Sequence, residues 1–186
     1  MKNIKNIEFL VIATILLSSC GTFEKAVKLN TDSNYFPSKK KKQESVVVLK
    51  EIPVNADTLK TLLVVSNTDY WIEMGKNLDY FDEVLTYEQF QTAIIREGLS
   101  NKIPNVSDRV GLNRAYNLYK PFVILNLTKV KKEGGWFAGL TIYDPNRAET
   151  IYENEIWLNL MWDGWTDQGT MFPLFNSLLD YLRKQE

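Results

Sequence analysis

Apolar positions along the chain follow three spacings, and each predicts a different element. Phe9 to Leu17 is an almost unbroken apolar run, preceded by Lys2 and Lys5. Val46-Val47-Val48-Leu49 is β-branched and predicts a strand. Leu59 to Val65 predicts another through Leu62-Leu63-Val64-Val65, and Phe81 to Leu85 a short one. Asn67 to Asp79 shows no clear period and is expected to be a loop carrying Tyr70 and Trp71. Helical spacing then takes over at Tyr87, Phe90 and Ile94. Thr86 and Gln89 stand three apart as a capping box, and Leu85 and Phe90 occupy the positions of a hydrophobic staple. Gly98 suits the left-handed position after the helix, with Leu99 placed to pack back on Ile94, so a helix is expected from about 87 to 97.

A second helix is expected over 107–119, through Val110, Leu112, Ala115, Tyr116 and Leu118. Ser107 or Asp108 would cap it, Gly111 weakens it and Pro121 ends it. Three strands follow at 122–130, 136–143 and 149–160, joined by Lys132-Glu133-Gly134-Gly135 and Asp144-Pro145-Asn146-Arg147. Connections this short imply an antiparallel meander. Trp136, Ala138, Leu140 and Ile142 share one face, as do Tyr152, Ile156, Leu158 and Leu160. Met171, Leu174, Phe175, Leu178, Leu179 and Leu182 then predict an amphipathic final helix with Pro173 in its first turn. The fold class expected from this order is α+β: a mostly antiparallel sheet ending in a three-stranded meander, with helices packed on one face.

The N-terminal run is too short to cross roughly 30 Å of hydrocarbon as a helix, but suits the apolar region of a signal peptide. It ends in Leu17-Ser18-Ser19-Cys20-Gly21. These residues resemble the lipobox of bacterial lipoproteins: an aliphatic residue, two small residues and the cysteine that is lipidated. The resemblance covers about twenty residues and implies cleavage after Ser19, a diacylglyceryl group on Cys20 and attachment to a membrane of the cell envelope. Two acyl chains are what stable anchoring needs. Gly21 is not the aspartate of an inner-membrane retention signal, which favours the outer membrane.

Three regions are therefore expected: a signal peptide at 1–19, a lipidated cysteine and tether at 20–44, and one α+β domain at 45–186. The tether is read from its Asn, Thr, Ser, Pro and Lys content, and as a free chain it would span on the order of 25 to 30 Å. Lys39-Lys40-Lys41-Lys42 is either a solvated linker or a contact with an anionic surface. In element order the domain is similar to the small α/β domains of several envelope lipoproteins, such as penicillin-binding-protein activators, a likeness without a motif.

Composition narrows the chemistry. The 186 residues hold no histidine, which excludes Ser-His-Asp and Cys-His catalysis and removes the commonest metal ligand. The one cysteine excludes an intrachain disulfide and a cysteine-built zinc site. A net charge of -1 argues against nucleic acid as a partner. No cofactor and no metal are expected, and the chain leans away from being an enzyme. The expected partners are the membrane, through the lipid, and a protein of the envelope.

The most unusual stretch is Trp157 to Gly169, which holds three of the five tryptophans. Trp162, Asp163, Trp165 and Asp167 form a candidate binding surface, either for a glycan stacked on an aromatic face or for a protein anchored by tryptophan. The same residues also fit a structural corner, with Asp167 or Thr170 capping the last helix. Tyr70, Trp71, Tyr80, Phe81 and Tyr87 are read as packing residues, and Glu153 and Glu155 as the wet face of a strand.

Overall fold

The computed structural model describes residues 25–159 and 166–186. In chain order the elements are α1 (Lys40–Gln43), β1 (Val47–Glu51), α2 (Ala56–Lys60), β2 (Leu63–Val65), α3 (Asp69–Asn77), β3 (Val84–Thr86) and α4 (Tyr87–Arg96). There follow α5 (Arg109–Leu118), β4 (Val123–Lys132), β5 (Gly135–Asp144), β6 (Glu149–Leu158), a turn of π-helix (Asp167–Met171) and α6 (Phe172–Arg183). The fold is α+β, with six strands in the order β1-β6-β5-β4-β2-β3. β4, β5 and β6 form the expected meander, with β1 antiparallel at its edge. β2 runs parallel to both β3 and β4.

The parallel part explains where the helices lie. Successive strand residues point to opposite faces, and here both faces are buried. Leu63 and Val65 join one core with Met74, Leu78 and the whole apolar side of α6. Leu62 and Val64 join a second core with Phe90, Ile94, Leu112 and Ala115. Phe122-Val123-Ile124-Leu125 divides in the same way. Helices α3 and α6 therefore cover the face shared with the meander, and α4 and α5 cover the opposite face at the parallel end. One-sided packing applies to the antiparallel half. A strand buried on both faces reads as a continuous apolar run, which is what these two quartets are.

Local signals place α4 where they predict it. Thr86 Oγ1 accepts from the Gln89 amide at 3.1 Å, and Gln89 Oε1 accepts from the Thr86 amide at 3.0 Å. At the far end the Leu99 amide reaches the Ile94 carbonyl, which places Gly98 at φ 68°. Thr86→Ala is expected to lower stability by about 1 kcal/mol, read as a lower urea midpoint at unchanged slope.

Three expectations are corrected. Leu59 and Lys60, at the start of Leu59–Val65, belong to helix α2, because the Asn55 side chain accepts from the Asp57 and Thr58 amides and starts a turn there. Asn67–Asp79 is mostly helix α3, capped by the Thr68 side chain and burying Met74. Most consequentially, the tether expected over 20–44 is packed on the domain from Lys25 onward. Phe36 is 2% exposed, stacked on Phe172 and edge-on to Phe175. Asn176 clamps its backbone from both sides, accepting from the Phe36 amide at 2.7 Å and donating to its carbonyl at 3.0 Å. Tyr35 donates to Asp180, and Arg183 stacks over the Tyr35 ring.

Candidate functional site

Of the residues singled out as a binding surface, Trp162, Asp163 and Trp165 lie outside the described residues, as does Cys20. Asp167 is described, and its carboxylate is used inside the protein. Oδ1 accepts from the Tyr70 hydroxyl at 2.9 Å and Oδ2 from the Lys25 amide at 3.4 Å. Burial, then the Asp167 charge, then the hydrogen bond to it push the Tyr70 hydroxyl well above its usual range. Asp167 thus joins the start of α3, the N-terminal segment and the turn before α6. The cap of that turn is neither Asp167 nor Thr170 but Thr166, whose Oγ1 accepts from the Gly169 amide at 3.1 Å.

The other aromatic residues sort as packing predicts. Tyr70, Trp71, Tyr80 and Phe81 lie against the core on the α6 side, and Tyr87 against the other core.

A groove of about 820 Å³ opens where β2 and β3 end, beside α4. Several of its polar groups bond within the protein. The Glu88 amide donates to Asn67 Oδ1, Thr86 and Gln89 cap one another, and Glu83 pairs with Lys120 at 2.7 Å. Among the described residues no group of three or more His, Cys, Asp or Glu side chains is placed to hold a metal ion.

The remaining feature is the face of the meander that no described helix covers. Register places Val130, Phe137 and Trp157 in one row across β4, β5 and β6. Val47 on β1 stands opposite Glu155, two residues from Trp157 and on the same face. Val47 is 53% exposed, and Val130 and Trp157 are each 45% exposed. Lys132 closes one side, ion-paired with Glu155 and 5.3 Å from the Phe137 ring centroid.

The indole of Trp157 is held in place. Its Nε1 donates to the Gly134 carbonyl at 3.2 Å. Gly135 lies directly beneath it, where a Cβ would stand 2.7 Å from that nitrogen. Gly135 also has φ 139°, so the hairpin that seats the ring needs glycine for two reasons.

The side of the sheet that Trp157 occupies follows from the alternation of Tyr152, Ile156 and Leu158. Its exposure does not, because that depends on which faces the helices reach. Chemically the face offers aromatic and aliphatic contact with one charged pair at its rim. No family model, no curated protein and no solved structure matches this chain.

Proposed function

We propose that this chain is a lipid-anchored protein of the bacterial cell envelope, held in the outer membrane, whose domain binds another protein rather than catalysing a reaction. The anchor is read from Leu17-Ser18-Ser19-Cys20 and from the absence of any other cysteine in the chain. The observation that carries the binding reading is Trp157, half exposed yet fixed in orientation over the hairpin. A rigid, accessible indole among exposed valines has the character of an interface anchor, since tryptophan dominates binding energy where it is buried by a partner. Asp167 does not strengthen a glycan reading, because its carboxylate already holds Tyr70 and the Lys25 amide.

The test is crosslinking in intact cells, followed by tagged purification and mass spectrometry. The chain is compared with Cys20→Ser and Trp157→Ala. One envelope protein is expected with the wild type, reduced with Cys20→Ser and lost with Trp157→Ala at equal abundance. Equal recovery with Trp157→Ala would move the contact elsewhere. Recovery of no protein at all would sink the binding-module reading.

A further inference from the structure

The first described residue is already fastened. The Lys25 amide is held by Asp167, and two residues later the Val27 carbonyl accepts from Asn77 Nδ2 at 3.0 Å. Five residue steps separate Cys20 from Lys25. A fully extended chain of that length reaches at most about 18 Å. If Cys20 carries lipid, the domain cannot stand a tether's length from the bilayer; the end that holds Lys25 lies against it.

That end of the molecule is rich in lysine. The Lys39 amide donates to the carbonyl of Gln168, the neighbour of Asp167, so α1 begins beside the point where Lys25 is held. Lys25, Lys39, Lys40 and Lys41 are exposed and Lys42 is half-buried. From Lys25 to Glu44 there are six lysines against two acids, Asp32 and Glu44. Strand direction adds to them. β1 starts at this end, and β6 finishes here because it is antiparallel to β1. The β4–β5 hairpin is at the same end, bringing exposed Lys131 and exposed Glu133, so the lysine excess comes from residues 25–44. The short reach from Cys20 and the lysine excess meet on one end of the fold.

From this we infer that the end bearing Lys25, Lys39–Lys42 and Lys131 docks flat on an anionic lipid surface, fixing the orientation of the domain on the membrane. The inference rests on lipidation of Cys20. It gives the lysines a role that a flexible linker would not have. Docking is electrostatic, so it weakens as salt screens the surface charge.

The experiment uses the full lipidated chain in vesicles of phosphatidylcholine and phosphatidylglycerol, with a headgroup-attached spin-label lipid as quencher. One fluorophore is placed at Ser45→Cys, at the lysine-rich end. Another is placed at Asn146→Cys in the β5–β6 turn, at the other end of the ten-residue strand β5. That separates the labels by on the order of 30 Å. Strong quenching is expected at Ser45→Cys and little at Asn146→Cys. Lys39→Gln, Lys40→Gln, Lys41→Gln and Lys42→Gln combined are expected to cut the difference to less than about half, as are vesicles without phosphatidylglycerol. Equal quenching at both labels, or a difference untouched by charge removal, overturns docking. Mass spectrometry of the N-terminal fragment is read alongside: an unmodified Cys20 means that the anchor reading itself has failed.

Discussion

Asn154→Leu is expected to destabilise the domain by about 3 to 5 kcal/mol. Asn154 is 0% exposed in the middle of β6, on the face otherwise lined by Tyr152, Ile156 and Leu158. Its Oδ1 accepts from the Leu140 amide of β5 at 2.9 Å. Its Nδ2 donates to the Leu174 carbonyl of α6 and to the Tyr152 hydroxyl, each at 2.9 Å. Tyr152 continues the chain of bonds to Ser177 on the same helix at 2.8 Å. One amide therefore ties two strands to the helix that covers them. Leucine has a similar volume, so the cost comes from stranding a buried amide donor and weakening two further partners, at about 1 to 3 kcal/mol each.

Asn154→Asp separates the two halves of that bond set. It keeps an acceptor for Leu140 but turns an oxygen towards the Leu174 carbonyl. Burial would raise the carboxyl above its unfolded value, so its penalty should grow as pH rises from about 4 to about 7. Urea unfolding at both pH values measures this. A loss below about 1 kcal/mol for Asn154→Leu would mean that the network does not hold α6.

Asn154 also shows where reading the sequence stops. The alternation around it is legible, and it places the apolar residues of β5 and β6 on the correct face. Little in the local sequence says that a polar residue on that face is satisfied: beyond the Tyr152 hydroxyl two residues away, its partners are backbone groups 14 and 20 residues away. Elements with adjacent signals were readable for the opposite reason. Thr86 and Gln89 cap α4 from three residues apart, and the Gly134-Gly135 hairpin sets the β4–β5 register. Helix α3 carried such a signal in Thr68-Asp69, but its mixture of aromatic and polar residues concealed the period. The exposed Trp157 face was half legible: its side of the sheet follows from alternation, and its lack of cover follows only from where α4 and α5 sit. Three of the four residues singled out for binding lie outside the described residues. The fourth, Asp167, is committed to internal bonds with the start of α3 and the N-terminal segment.

Phe36→Ala is expected to cost about 3 to 5 kcal/mol, the range for removing a fully buried aromatic ring. In a tether the same change would stay within about 0.5 kcal/mol. No local pattern marks Phe36 as core, since the rings it packs on and the amide that clamps its backbone lie on α6, about 140 residues along the chain. The ring fills the space between Phe172 and Phe175, and Asn176 closes over its backbone. Its removal should loosen residues 25–44 before the rest of the domain unfolds, because β1 and the meander hold their own hydrogen bonds. Limited trypsin digestion reads this directly at Lys39 to Lys42. Cleavage there should be slow in the wild type and at least about tenfold faster in Phe36→Ala, with the fragment after Lys42 surviving longest. Rapid cleavage of the wild type at these lysines would restore the tether. It would also remove the ground for the inferred docking of the domain on a membrane, because a lipid on Cys20 would then be joined to the domain by a chain long enough to lift it clear.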